Sequence, residues 1–283
     1  MNRMVGETYW QRVIFFYIPL FMFLVMLLFP FYWMIQASIK PDRELYNIAL
    51  SPFYPRSVTF DHFRYLFENT QFLVWMVNTF IIALASTVLS VTCGVLAGYS
   101  LSRLRYPGST MLGVSIFVTY LVPPTLLFIP LSRLVNEAGL MDTRWSLVLT
   151  YPTILIPFST WLLMGYFRTI PKELEECARI DGATRWQAFI KIILPLATPG
   201  VLSAGLFSFT LSWNEFLYAL VFISSPENKT VTVGVVSELM IADIYYWGSL
   251  MAGALLGSIP IAIIYSFFVE YYVAGLTGGA VKG

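Results

Sequence analysis

Long uncharged runs alternate with short polar connections along this chain, and the runs have the length of membrane helices. About 20 mostly apolar residues cross a bilayer. Six stretches qualify, at 13–35, 75–99, 111–131, 145–167, 200–223 and 249–272. Pro19, Pro30, Pro123, Pro124, Pro152, Pro157 and Pro260 lie inside or at the edges of these runs. Inside a bilayer, neighbouring helices and hydroxyl side chains satisfy the carbonyls that a proline frees, so the pattern predicts kinked helices. The first run outlasts the roughly 7–15 residues of a signal-peptide core and is followed by no A-x-A-like site, so it reads as a retained span. The pattern as a whole predicts one all-α integral membrane domain over residues 1–283, with external loops at 40–72 and 224–248.

Composition sharpens this picture. The chain is 58% hydrophobic and 12% charged, with mean hydropathy +0.72; soluble domains carry roughly 25% charged residues. A net charge of +1 gives no bulk attraction to nucleic acid or to an acidic partner. Two cysteines, Cys93 and Cys177, make neither a metal spacing nor a disulfide framework. The single histidine, His62, falls in a polar stretch and reads as a solvated loop residue. No metal set is visible, nor the nucleophile–base pair that an intramembrane enzyme would need.

Six spans put both termini on one side. With the N-terminus inside, the inner segments hold ten Lys/Arg, among them Arg3, Arg105 and Lys282, against seven outside, the sign expected of positive-inside topology. Between spans two and three, SRLRYPGS is basic with no acid. Gly94-x-x-x-Gly98 and Gly253-x-x-x-Gly257 would let helix backbones approach closely, within the bundle or between subunits.

One segment breaks the apolar pattern. Arg168–Lys191, under a tenth of the length, holds nine charged residues, more than a quarter of all the chain carries. Pro171 suits a first helical turn, and Glu173, Glu175 and Glu176 sit near the positive end of the helix dipole. Gly182 marks a C-cap or tight turn. Trp186, Phe189, Ile190 and Ile193 then recur at helical spacing and form an apolar stripe. The expectation is a helix–turn–helix over 171–195, on the cytoplasmic side, with one apolar and one charged face. Acids interleaved with bases argue against an interfacial lipid-surface helix, and exposed aromatic residues argue against a plain loop. Docking into a groove of a soluble partner uses both faces.

The same segment resembles the EAA signature of permease subunits in binding-protein-dependent ABC importers. That pattern is E-A-A, three residues, G, nine residues, then I-x-L-P. Here it falls on Glu176, Cys177, Ala178, Gly182, Ile192, Leu194 and Pro195, with Cys177 in place of the first Ala. Asp181-Gly182-Ala183, the stretch SWNEFLYALVF (Ser212–Phe222) and the ending VAGLTGGAVKG (Val273–Gly283) resemble the carbohydrate branch, specifically the shorter permease of maltose-type systems. Val269-Glu270 departs from that branch, where a Gln followed by a basic residue is usual.

The resemblance implies a type I ABC importer permease fold with six transmembrane helices in a bacterial or archaeal cytoplasmic membrane. It makes 171–195 the segment that couples to an ATPase, through Glu176, Cys177, Ala178, Asp181, Gly182, Ala183, Trp186, Ile192, Leu194 and Pro195. The sequence has no G-x-x-x-x-G-K-[ST] phosphate loop, so ATP and Mg would be used by a separate ATPase dimer, with no cofactor bound by this chain. Further implied partners are a second permease subunit, as a heterodimer, an extracytoplasmic solute-binding protein, and a sugar. The tail Gly275–Gly283 would reach toward the ATPase, and the external loops toward the binding protein. Trp213, Asn214 and Glu215 are the candidates for the translocation path: an acid at lipid depth is costly and should face a cavity or a partner helix, and Trp213 would offer a platform for stacking sugar. The VTVGVVSELMI stretch is too short to span and reads as re-entrant or as a docking loop. A secondary transporter would show internal repeats and usually intramembrane charges, of which only Glu215 and Glu270 are candidates. A scaffold or sensor subunit is the other rival. Co-purification of an ATPase and a second permease separates these readings.

Overall fold

The computed structural model describes residues 9–104, 106–241 and 244–277. Arg3, Arg105, Lys282 and most of the glycine-rich tail lie outside the described residues, and so does the side chain of Glu270.

Helices run along the chain as α1 (Tyr9–Ser38), α2 (Asp61–Asn69), α3 (Phe72–Arg103), α4 (Ser109–Tyr120), α5 (Pro124–Glu137) and α6 (Arg144–Thr169). They continue as α7 (Glu173–Ile180), α8 (Arg185–Leu196), α9 (Thr198–Trp213), α10 (Leu217–Phe222), α11 (Val231–Leu239) and α12 (Trp247–Thr277). An antiparallel bridge of two residues a side, Met240–Ile241 with Ile244–Tyr245, joins the last two. Among the described residues four helices are long and apolar enough to cross a membrane, or six if each of two bent pairs makes one span.

One bent pair lies in the third run, at the Pro123-Pro124 kink that the pattern predicts, and the other at the entry to the fifth. α4 and α5 meet at 97°, because Pro123 and Pro124 follow Val122 and Pro124 opens a new helix at its first turn. α8 and α9 meet at 72°, between Pro195 and Pro199. The fifth run also ends early. α9 stops at Trp213, and Glu215 starts α10 by accepting the amides of Tyr218 (2.9 Å) and Ala219 (3.1 Å). A carboxylate inside an apolar run has thus found orphan N–H groups at a helix start.

The chain divides into two compact units, Met1–Thr70 with Val235–Ser258, and Gln71–Gly234 with Ile259–Gly283. In the first, the connection after α1 is a folded knot. Lys40 is buried and donates to the carbonyls of Ser51 (3.1 Å) and Pro52 (3.2 Å). Glu44 accepts the amides of Arg56 and Ser57 and the Ser57 hydroxyl. The Ser57 hydroxyl and the Arg56 amide together hold the Glu44 carboxyl below the usual carboxylate range. His62 is no solvated loop residue: it lies on α2, is 6% exposed, and its Nε2 sits 2.9 Å from the Lys40 carbonyl. Gly248 makes room for it, since a Cβ there would come within 2.3 Å of the imidazole. The ring is spent on local packing.

In the second unit α3, α6 and α9 pack together as a core. Gly94 and Gly98 sit against α6, where a Cβ on Gly94 would come within 2.7 Å of the Ser159 Cβ. This glycine pair therefore serves an intrachain contact. Gly253 likewise faces Val235 within the first unit. Two hydroxyl pairs rivet the core, Ser86–Ser212 and Ser159–Ser208, each at 2.9 Å. Such bonds between membrane helices contribute roughly 0.6–2 kcal/mol each.

At the start of α3, Trp75 Nε1 donates to the Pro226 carbonyl (2.8 Å), and Asn78 Nδ2 donates to the carbonyls of Glu227 (2.8 Å) and Lys229 (3.0 Å). Asp142, at φ 57, accepts the amides of Ser224 and Ser225, both at 2.9 Å. The segment after α10 is therefore pinned. Val231 and Val233 of α11 are buried, so VTVGVVSELMI is a packed helix followed by a bridge strand. α3 is 32 residues long, and its other end lies about 48 Å away at 1.5 Å per residue.

Candidate functional site: a charged elbow and its socket

That far end of α3 carries the charged segment. α7 begins with three acids in its first turn, as the dipole favours. It ends in a Schellman motif: Ala183 N donates to the Ala178 carbonyl (2.9 Å) and Gly182 N to that of Arg179 (3.2 Å). The motif needs a left-handed residue, and Gly182 supplies φ +91. Two residues on, Thr184 and Gln187 form a reciprocal capping box, with Gln187 N donating to Thr184 Oγ1 (3.2 Å) and Thr184 N to Gln187 Oε1 (2.8 Å). T-x-x-Q is legible in the sequence as a helix start, although the apolar stripe alone does not mark it. Helix, glycine turn and helix are thus each closed by their own local bonds.

The elbow is also seated. Phe189 and Ile193 are buried with Val95, Tyr99, Leu163, Phe167, Ile170, Ala197 and Ala204. Burying one Phe or Ile side chain is worth about 1.5–3 kcal/mol. The Tyr99 ring lies 4.4 Å from that of Phe189, and its hydroxyl donates to Glu175 Oε1 at 2.7 Å. One ring thus touches both arms of the elbow. Arg103 Nη2 donates to the carbonyls of Phe167 (2.6 Å) and Ile170 (2.5 Å). This cation caps the C-terminal end of α6, where orphan carbonyls collect.

The apolar stripe is split by this seating. Phe189 and Ile193 face inward, while Trp186 is 61% and Ile190 41% exposed. Ile180 is 84% exposed, and Leu174 and Cys177 are open beside it. The signature residues divide in the same way. Glu176, Cys177, Asp181, Gly182, Trp186 and Pro195 are exposed and Ala183 partly so. Ala178 is buried within the chain. Ile192 and Leu194 pack against the socket. The signature therefore has an outward half and a half that holds the elbow in place. Sequence reading missed Tyr99, Arg103 and Phe167, because nothing local marks them as neighbours of the elbow. Tyr99 bonds a residue 76 positions further on, Arg103 bonds residues 64 and 67 positions on, and Phe167 packs with Phe189 from a different helix.

The candidate translocation residues are not gathered into one open site. Trp213 is 3% exposed and packs with Ala83 and Phe209, so its indole is a core group in this conformation, with no face open for stacking sugar. Asn214 is exposed at the helix break, and Glu215 is engaged as the cap of α10.

The profile of the family described as binding-protein-dependent transport system inner membrane component matches residues 90–278, a stretch that includes the elbow and its socket. The chain belongs to this family. It is 36% identical over 271 residues to an inner membrane ABC transporter permease protein of Escherichia coli (strain K12), covering 95% of this chain and 96% of that one. It is 36% identical over 258 residues to the trehalose transport system permease protein of Mycobacterium tuberculosis (strain CDC 1551 / Oshkosh), covering 90% and 93%. In fold it is similar to a chain of a bacterial ABC transporter involved in the import of the acidic polysaccharide alginate, with TM-score 0.81 at 22% identity over 94% of this chain and 99% of that one. The permease is multi-pass and helical apart from that one short bridge among the described residues, and its elbow lies inside the part that the family profile matches.

Proposed function

We propose that the permease forms half of the translocation path of an ATP-driven sugar importer and is moved by a separate ATPase that grips the elbow. One observation carries this reading: a seated elbow leaves Cys177, Ile180, Trp186 and Ile190 exposed at its surface. A soluble surface of that kind is a docking surface. The trehalose system relative supports a sugar as the cargo.

In this reading the elbow and both termini are cytoplasmic, and the 224–230 segment, at the other end of α3, faces the solute-binding protein. ATP and Mg act on the partner. Closure of the ATPase dimer drags the elbow. Because Phe189 and Glu175 both bear on Tyr99, the pull passes directly into α3, and through Phe167 and the Arg103 cap into α6. A second permease subunit completes the path. Coupling requires that the elbow move as one body, and its Schellman and capping-box bonds provide that stiffness.

Site-directed cross-linking tests the reading. A short cysteine-reactive photoprobe on Cys177, in a Cys93→Ser background, should capture an ATPase chain in membranes, with yield that changes when ATP is added. Capture of lipid alone, or labelling only by reagents confined to the outer compartment, overturns it.

A further inference from the structure

A groove of about 270 Å³ opens on the second unit, walled by α4 and α6 and reached by Leu101 of α3. Each wall contributes residues at helical spacing: Thr110, Gly113, Val114 and Phe117 from α4, and Trp161, Met164 and Arg168 from α6. Polarity changes along its length. By helix register, with Gly113 opposite Met164, the lining residues Ser109, Thr110 and Arg168 fall at one end, and the rings of Phe117 and Trp161, 5.9 Å apart, at the other. Among the described residues no hydrogen bond or ion pair engages Arg168 or either hydroxyl, and no carboxylate lines the groove. Gly113 keeps the middle open: a Cβ there would meet only Met164 Sδ, at 3.8 Å, so a larger side chain would grow into the space.

We propose that this groove binds one anionic phospholipid, with its phosphate at Arg168, Ser109 and Thr110 and an acyl segment along Val114, Phe117, Trp161 and Met164. The polar end supplies a cation and two donors, the charge complement of a phosphodiester. The apolar end lies between stretches whose hydropathy places them in a bilayer, where basic pockets between transmembrane helices suit acidic headgroups. A free phosphate would leave the apolar half uncovered. A second protein helix would leave Arg168 desolvated without an anion. Arg168 lies only three residues before Pro171, so a bound headgroup would brace the root of the elbow. The assignment stands on the groove and the membrane spans, and does not require the ATPase reading.

Native mass spectrometry of the full chain, purified with its accompanying subunits and relipidated in equal phosphatidylglycerol and phosphatidylcholine, tests it. The wild type should retain phosphatidylglycerol in preference to phosphatidylcholine, and excess inorganic phosphate should not displace it. Arg168→Gln, at an exposed position, should cut that preference about fivefold, one basic residue's share of the attraction to an acidic surface. Gly113→Leu should reduce retention of both lipids. Equal retention of the two lipids by the wild type, or a preference unchanged in Arg168→Gln, overturns the proposal. So does displacement by phosphate, or occupation of the groove by a helix of a partner subunit.

Discussion

Tyr99 donates its hydroxyl to Glu175 at 2.7 Å, a bond across 76 positions of sequence that ties the end of a membrane helix to the first arm of the elbow. The same ring packs on Phe189 in the second arm. Tyr99→Phe keeps the ring and removes the bond, so stability should fall by only about 0.5–1.5 kcal/mol. Tyr99→Ala removes both and should cost about 3–5 kcal/mol, as for other large buried aromatic deletions. Thermal melts of the detergent-solubilised protein give the ranking, and equal effects would show that the ring plays no part.

Gly182 occupies the left-handed position of the Schellman motif, which side chains with a Cβ adopt at a cost of about 1–2 kcal/mol. Asn tolerates that region better than Ala, so Gly182→Asn should retain more coupling than Gly182→Ala. Gly182→Arg, whose long charged side chain also projects from the exposed turn, should leave the protein in the membrane but abolish substrate-stimulated ATP hydrolysis by the assembled transporter. Normal stimulation in that variant would reject the elbow as the coupling element.

Gly94 leaves no room for a side chain against Ser159 and the backbone of Thr160. Overpacking a well-filled site costs typically about 1–3 kcal/mol, and here the obstruction includes backbone. Gly94→Leu should separate α3 from α6, lower the melting temperature and reduce coupling together. Gly205→Ala, at a position where an added Cβ meets nothing within 4 Å, is the control and should be neutral in the same melt.

Asp142 gives the fold a pH dependence at the end remote from the elbow. The Ser225 hydroxyl, then the Ser225 amide, hold its carboxyl below the ordinary aspartate range. A carboxylate lowered on folding contributes stability that is present above its unfolded pKa of about 3.9, and that is lost as pH falls through the lower folded value. Melting temperatures recorded from neutral pH down into that acid range should therefore drop more for the wild type than for Asp142→Asn, which gives up the contribution at every pH. Parallel curves would show that Asp142 does not clamp the 224–228 segment.

Much of this protein is written in local pattern. The apolar runs announce a membrane bundle because a bilayer demands about 20 apolar residues per helix. Pro171, the acid-rich first turn and Gly182 announce the elbow, because caps and dipoles act over a single turn. The spacing of the EAA signature points to the family for the same reason. Local pattern also has a limit. Hydropathy reads 200–223 as one span, since an average over many residues is blind to one carboxylate finding two amides, which is what ends α9 and starts α10 at Glu215. It reads His62 as a loop residue, since burial comes from Gly248 and Lys40, which are remote in the chain.

Local pattern alone sets the apolar runs, the proline kinks and the stiff turn at Gly182, all consequences of interactions within a few residues. Which half of the elbow's apolar stripe faces a partner was decided only by tertiary structure. Phe189 and Trp186 are both aromatic and one turn apart; Tyr99 and Phe167 arrive from distant helices to bury the first, while the second stays 61% exposed. The same holds for Trp213, a plausible sugar platform by residue type, whose indole is taken up by Phe209 and Ala83. Contacts between helices far apart in sequence depend on how side chains interdigitate in three dimensions, and no periodicity along the chain encodes that partner choice.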